Sequence, residues 1–181
     1  MRKVLFILGQ LTDADVEWLA QRGVRRRLGD GEVIVNEGQP VDALFITVAG
    51  QLRVTLRSGQ EVARLNVGEV VGEIAFVDSS PPSATVAAVG ESVVLALPKA
   101  VLQRRLADDM PFAARFYRAL AIFLADRLRT TTRRLGYGQP GDGDDEAAAA
   151  DELDHGVLDT FARAGERFTR LLRTLATASP A

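Results

Sequence analysis

Short apolar runs cut by glycine dominate the chain from residue 24 to Pro98. Glycines at positions 29, 31, 38, 50, 59, 68, 72 and 90 separate the runs. Regularly spaced short strands with turn residues between them are typical of a small sandwich or barrel. We therefore predict a β-roll whose strands include Val33–Val35, Leu44–Val48, Leu52–Leu56, Glu61–Leu65 and Val93–Leu97.

Helical periodicity replaces this pattern before residue 24 and after Pro98. Thr12 offers an N-cap, early acids follow it, and apolar residues then recur at helical spacing, which predicts a helix over residues 12–21 that Gly23 ends. After the β-roll, Lys99–Asp109 and the stretch from Pro111 to about Leu135 are predicted to be helices, and Pro111 suits a first helical turn.

The second of these helices carries a long apolar stripe, in which most members lie four residues apart: Phe112, Phe116, Leu120, Leu124 and Leu128, with Phe123 beside them. One face of a sheet offers too little surface to cover all of it. We expect part of the helix, within residues 111–135, to contact a second copy of the chain in a homodimer or higher homo-oligomer. The alternative is that the helix only covers the β-roll.

A change of composition divides the chain into three parts: a domain over residues 1–136, a flexible acidic linker over 137–156 and an amphipathic helix over 157–181. The last helix has a heptad-like seam, flanked by arginines, that consists of Leu158, Phe161, Gly165, Phe168, Leu172 and Leu175. Gly165 weakens the helix, so it needs a partner. That partner is its own domain or a sister copy, or else another protein through residues 157–177, or anionic lipid.

Composition narrows the function classes. The 181 residues include no cysteine and a single histidine, His155, so thiolate metal sites and multi-histidine centres are excluded, and we predict no metal and no cofactor. A formal net charge of -2 gives no global cationic field for nucleic acid. The apolar run after Lys3 is too short for a secretory signal or a membrane span, so a cytoplasmic location is expected.

The segment from Gly68 to Val86 carries the most specific motif: Gly72-Glu73-Ile74-Ala75, followed at a set distance by Pro82-Ser83-Ala84-Thr85-Val86. It resembles the phosphate-binding cassette of the cyclic nucleotide-binding domain, the sensor module of catabolite activators and of cyclic-nucleotide-regulated kinases and channels. The resemblance covers about residues 10–136. It implies an α+β fold: an antiparallel, jelly-roll-like β-roll with an N-terminal helix and two C-terminal helices, to which this chain adds a terminal helix.

The resemblance also implies a set of ligand-binding residues: Gly72, Glu73, Ile74, Ala75, Pro82, Ser83 and Ala84. Gly72 lets the backbone approach a ligand closely, and the turn after it exposes N–H groups to an anion. Glu73 is expected to accept hydrogen bonds from a ribose hydroxyl. The alternatives are a solvated or turn-capping acid at Glu73 and an ordinary strand entry at Ser83 and Ala84.

Pro82 departs from the family pattern, which places an arginine before the small pair to bond the cyclic phosphate. Proline has neither a charge nor an N–H, so we expect cyclic nucleotide affinity to be weaker by about a hundredfold or more. Arg64 cannot obviously replace that arginine, because strand alternation places Arg64 on the face opposite Ala63 and Leu65. Threonines at 131 and 132 match positions where catabolite activators hold hydroxyls against the purine, although a run of threonines is also typical of a fraying helix end.

These observations predict a non-enzymatic sensor or regulator that binds cAMP, another cyclic nucleotide or a related phosphate ligand, and signals through its C-terminal helices. No P-loop or Gly-x-Ser-x-Gly motif argues for catalysis. The residues after Leu135 supply one helix rather than a winged helix-turn-helix, so direct DNA binding is not expected. The alternative is an oligomerisation scaffold, or an adaptor for a protein partner, with a vestigial pocket.

Overall fold

The structure is a computed structural model that describes residues 3–78, 80–136 and 155–177. Its centre is one antiparallel sheet, whose strands are β1 (Val24–Leu28), β2 (Val33–Val35), β3 (Ala43–Thr55), β4 (Glu61–Leu65), β5 (Val70–Val71) and β6 (Thr85–Pro98). The strand order is β1-β6-β3-β4, with β2 paired to β6 and β5 paired to β3. The β-roll and the α+β class predicted from the sequence are confirmed.

Strands β3 and β6 are longer than the apolar runs suggest. Strand β6 begins at Thr85, whereas only Val93–Leu97 was predicted. The predicted pieces Leu44–Val48 and Leu52–Leu56 form a single strand, β3, which passes through Gly50 at a φ of 78°. Pairing with β6 shifts register on either side of Ala49, so the irregularity is a bulge within the strand. Glycine in the middle of an apolar run marks a bulge as well as a turn, and this explains why the sequence suggested a break.

Strand β1 was not predicted. Its central residues, Arg25, Arg26 and Arg27, are all exposed, and it pairs with β6 at the edge of the sheet. Three consecutive arginines give no apolar alternation. They suit an edge strand because charged side chains discourage pairing with another chain.

Within the described residues, five α-helices flank the sheet. They are α1 (Val4–Gln10), α2 (Asp13–Arg22), α3 (Lys99–Asp108), α4 (Met110–Gly136) and α5 (His155–Thr177). Helix α2 begins with a capping box, in which Thr12 and Asp15 bond each other's backbone N–H. Asp109, between α3 and α4, accepts a hydrogen bond from the Phe112 N–H at 2.9 Å and so caps the long helix.

The sequence did not predict α1. Its run Val4-Leu5-Phe6-Ile7-Leu8 is almost wholly apolar, and a short apolar run cannot be assigned to helix or strand by periodicity. In the structure Val4, Ile7 and Leu8 are buried in the core between the sheet and the helices. The first turn of α1 is tied to the turn between β4 and β5, because the Val4 N–H donates to the Gly68 carbonyl at 2.7 Å.

The predicted tail helix docks on its own domain. Four of its residues, one on each successive turn, lie in the same hydrophobic core as α1 and α4: Ala164, Phe168, Leu171 and Leu175. The predicted seam is right at Phe168 and Leu175, whereas Ala164 and Leu171 take the buried places expected of Gly165 and Leu172. The side chains of Leu158 and Phe161, and all of residues 137–154 of the predicted linker, lie outside the described part of the chain.

Helix α4 buries one face and exposes another. Phe112, Phe116, Leu120 and Phe123 are 0% exposed, as expected for the stripe that covers the sheet. Met110, Tyr117 and Leu128 are large apolar residues on the exposed side, and Leu128 is 68% exposed. None of the helices in the described ranges combines the length and the apolar character that a membrane span requires.

Candidate functional site

The predicted cassette is a tight turn at the end of β5. Gly72 has a φ of 87°, and a Cβ at this position would lie 2.5 Å from the Ala43 carbonyl oxygen. Only glycine fits both constraints. The chain then enters a 3₁₀ turn, Ile74–Phe76, which starts at the edge of a cleft.

The turn leaves donors unpaired and is anchored on α4. The Phe76 N–H donates to the Glu73 carbonyl, whereas the N–H groups of Ile74 and Ala75 have no acceptor among the described residues. The Phe76 ring packs edge-on against Phe116, with the ring centroids 5.9 Å apart. The cassette therefore rests on the buried face of the long helix.

Glu73 is the buried carboxylate of the site. Its side chain is 2% exposed, and Oε1 accepts a hydrogen bond from Arg127 Nη1 on α4. The Arg127 side chain is 35% exposed, and its guanidinium lies 5.8 Å from the centroid of the Phe123 ring. The cost of burying this carboxylate is offset by one cation, Arg127, which remains partly exposed in the open cleft.

Sequence reasoning missed Arg127. It lies on the same helix as Thr131, and the only available signal was its position four residues before Thr131, on one helical face. Which arginine of α4 reaches Glu73 depends on how the helix packs against the cassette, so nothing local in the sequence identifies it.

The second half of the cassette faces the first across the same cleft. The Pro82 carbonyl accepts a hydrogen bond from the Gly38 N–H at 2.9 Å, and the Thr85 hydroxyl accepts one from the Glu37 N–H at 3.1 Å. Ser83 is exposed, and Ala84 is partly buried just before β6 begins. The small pair is thus held at a strand entry whose open side is the cleft.

The cleft has a volume of about 2180 Å³. The predicted residues that line it are Gly72, Glu73, Ile74, Ala75, Pro82, Ser83, Ala84 and Thr131. Thr132 is exposed and is not among the lining residues, and the Thr131 hydroxyl donates to the Arg127 carbonyl at 2.9 Å. The roles assigned to these residues stay predictions.

Glu69, which was not predicted, also lines the cleft. Burial raises the pKa of its carboxyl, and the nearby charges of Lys3 and Arg127 offset part of that rise. Lys3 Nζ lies 3.8 Å from Glu69 Oε2. This acid places a second carboxylate in the cleft, on the segment that leads into Gly72.

Part of the chain matches a known domain family. Residues 25–109 match the sequence profile of the cyclic nucleotide-binding domain. The cAMP-dependent protein kinase regulatory subunit of Blastocladiella emersonii is 32% identical over 98 residues, which make up 52% of this chain and 24% of that protein. The chain therefore spans about a quarter of the length of this curated relative.

Solved structures agree on the fold. The catabolite activator protein of Thermus thermophilus is 25% identical with a TM-score of 0.58, and the match covers 92% of this chain and 84% of that one. A cyclic nucleotide-binding domain from Methylobacillus flagellatus gives a TM-score of 0.66 at 21% identity, over 77% of this chain and 84% of that one. Over residues 25–109 the chain resembles the cyclic nucleotide-binding domain family, and its fold is the one that these solved structures share.

Proposed function

We propose that the chain is a non-enzymatic sensor whose cleft binds a cyclic nucleotide or a related phosphate ligand. The observation that carries the proposal is the convergence of both halves of the cassette and Thr131 on one cleft around the buried carboxylate of Glu73. Ligand binding would change the contacts of α4, since Arg127 bonds Glu73, and the signal would pass to the C-terminal helices.

Positive charge in the cleft supports an anionic ligand despite Pro82. The lining includes six cationic side chains, Lys3, Arg64, Lys99, Arg118, Arg127 and Arg129, against four acidic ones, Glu69, Glu73, Asp78 and Asp126. Arg64 lines the cleft together with Ala63 and Leu65 and donates to Glu61 and Gln51; that it does not replace the missing arginine stays a prediction. We expect the anion to be held by amides and distributed cations, and so weakly.

Calorimetry with cAMP and cGMP tests the proposal on three proteins. The natural chain is expected to bind one of them with weak affinity, and Pro82→Arg is expected to bind about a hundredfold more tightly, because it restores a charge-assisted contact. Val77→Arg is the matched control, since Val77 is 58% exposed and does not line the cleft. If neither nucleotide gives heat at millimolar concentration with the natural chain or with Pro82→Arg, the sensor proposal is wrong.

A scaffold that assembles through α4 is the second candidate. The exposed side of this helix carries Met110, Ala114, Tyr117, Ala121 and Leu128. Together with Leu124, which is half-buried against the core, these residues are spaced alternately four and three apart. This is the pattern of a two-stranded coiled coil. The sensor proposal uses the same surface for a homodimer, whereas the scaffold needs the surface and not the cleft.

The oligomeric state of Leu128→Asp tests this surface. We expect Leu128→Asp to raise the dissociation constant of the dimer about tenfold or more, because a charge would replace an apolar interface residue. Analytical ultracentrifugation measures this constant. Phe116 is unsuitable for this test because it is 0% exposed in the core. Val77→Asp is the control, and a natural chain that stays monomeric at high concentration would contradict assembly through α4.

A protein partner at residues 157–177 remains a proposal. One face of α5 is buried in the domain, so a partner would contact the opposite face, where Arg163, Glu166 and Arg173 are exposed. The predicted cytoplasmic location also stays a prediction.

A further inference from the structure

The tail helix α5 packs mainly on α1. Phe168 and Ala164 are 0% exposed, in one core with Val4, Ile7 and Leu8 of α1. Arg167 adds polar contacts: Nη1 donates to the Leu8 carbonyl at 3.1 Å, and Nε donates to Asp13 Oδ1 at 2.6 Å. The contact therefore joins α5 to the end of α1 and to the start of α2.

Helix α1 is too short to be stable alone. It has seven residues, no side chain caps its start, and isolated helices of this length do not form in water. Its order must come from packing, and the faces it packs against belong to α4 and α5. Helix α5 contacts chiefly α1 and α2, and it forms no part of the sheet.

The other side of α1 faces the cleft. Leu5 and Phe6 line it, and the Val4 N–H donates to the carbonyl of Gly68, the residue before Glu69. Lys3 lies next to Glu69 in turn. From Gly68 the chain runs through β5 directly into Gly72 and Glu73, so α1 touches the segment that positions the cassette.

We propose that α5 is a strap that holds α1 against the cleft, so that docking of the tail helix and the conformation of the cassette are coupled through α1. The route runs from α5 to α1 and then through Gly68 to Gly72, and it does not require α4 to move. The functional role of this coupling rests on the proposed function, in which the cleft binds a ligand. The coupling itself is a property of the fold and can be measured without a ligand.

Hydrogen exchange of the full chain, followed by mass spectrometry, tests the coupling. Arg167→Ala removes the contacts to Leu8 and Asp13, and we expect amides of residues 4–10 and 68–76 to exchange about threefold to tenfold faster. Arg163→Ala is the matched control, because Arg163 is exposed one turn earlier on the same helix. Amides of β6 serve as an internal reference for global stability, since β6 lies in the middle of the sheet.

Phe168→Ala gives the stronger perturbation. We expect its effect on the same two segments to reach about a hundredfold, because it empties a buried site. If the amides of β6 exchange faster by the same factor, Phe168→Ala destabilises the whole chain. In that case the result for Arg167→Ala decides whether α5 and the cassette are coupled. The proposal is overturned if the amides of residues 162–175 exchange faster in Arg167→Ala while residues 4–10 and 68–76 keep their natural rates.

A ligand arm separates this inference from the proposed function. If cAMP binds the natural chain, Arg167→Ala should change its dissociation constant about threefold or more and Arg163→Ala should not, since coupling between two sites is reciprocal. An unchanged constant in Arg167→Ala would contradict the strap even if exchange in α1 rises. If cAMP does not bind, only the sensor proposal fails, and the exchange experiment still decides whether α5 holds α1.

Discussion

Two buried carboxylates define two different regions of this molecule. Asp15 and Glu73 are each 1% exposed, and each bonds arginine from α4. Asp15 bonds Arg105 Nη2 at 2.7 Å, Arg115 Nε at 2.8 Å and the Thr12 N–H at 2.9 Å, so both of its oxygens are engaged where α2, α3 and α4 meet. Glu73 has one arginine, and it faces an open cleft.

The surroundings of the partner arginines separate the two regions further. Arg105 is 16% exposed, and its guanidinium lies against the rings of both Trp18 and Phe112, at 4.4 and 4.0 Å from their centroids. Arg127 is about twice as exposed and contacts one ring from farther away. A charge enclosed by several fixed partners can only support the fold, whereas a charge with one partially solvated partner can exchange it for a ligand.

The largest effect is expected at Asp15. Asp15→Asn removes the charge that two arginines and a helix cap share, and we expect the free energy of unfolding to fall by about 3 kcal/mol, measured by urea denaturation. Glu17→Gln, on the exposed side of the same helix, is the control and should change it by less than about 0.5 kcal/mol. Equal stabilities for Asp15→Asn and Glu17→Gln would show that the enclosed cluster contributes nothing.

The equivalent change in the cleft should act on binding instead. In Glu73→Gln the amide oxygen can still accept from Arg127, so we expect less than about 1 kcal/mol of lost stability. Affinity for the cyclic nucleotide that binds the natural chain should fall about tenfold to a hundredfold, because the ribose hydroxyl loses an ionised acceptor. Calorimetry and urea denaturation on the same preparation measure both effects. Unchanged affinity with reduced stability would make Glu73 a structural residue like Asp15.

The two regions also differ in how far the sequence predicts them. Gly72 and Glu73 were singled out because one continuous segment resembles the family's cassette; both line the cleft, and their ligand-binding roles stay predictions. Asp15 was recognised only as an early acid of a helix, and its arginines lie 90 and 100 residues away in the sequence. Arg127 is likewise 54 residues from Glu73. Such pairings depend on how helices pack, which local patterns do not record.

The misassigned elements have similar causes. Helix α1 has no polar residues within its apolar run to reveal a period, and β1 has too few apolar ones. On α5 the predicted seam included Gly165, whereas the structure buries Ala164, because packing against α1 and the rest of the core sets which face is inward. Most of the longer elements could be predicted, because turn residues and changes of period mark them, whereas α1, β1 and β5 were missed.

The smallest expected effect is the pH dependence of stability, which has opposite signs in the two regions. Burial raises the pKa of Asp15, but hydrogen bonds from Arg115 and Thr12 lower it by more, so its folded value lies below the unfolded one. Asp15 therefore stabilises the fold above its unfolded pKa of about 3.9, and this contribution is lost as the pH falls through the folded value. In Asp15→Asn, the free energy of unfolding should therefore depend less on pH in the acidic range.

Glu69 in the cleft should do the reverse. Burial raises the pKa of its carboxyl above the ordinary value, so the folded state holds the proton more tightly than the unfolded chain does. Its contribution to stability falls as the pH rises from the ordinary value through the raised one. Glu69→Gln should therefore gain stability relative to the natural chain at neutral pH and lose that advantage on acidification, in urea titrations across this range. A natural chain that is more stable than Glu69→Gln at neutral pH would instead make Lys3–Glu69 a net stabilising pair, and the cleft would then resemble the enclosed cluster around Asp15.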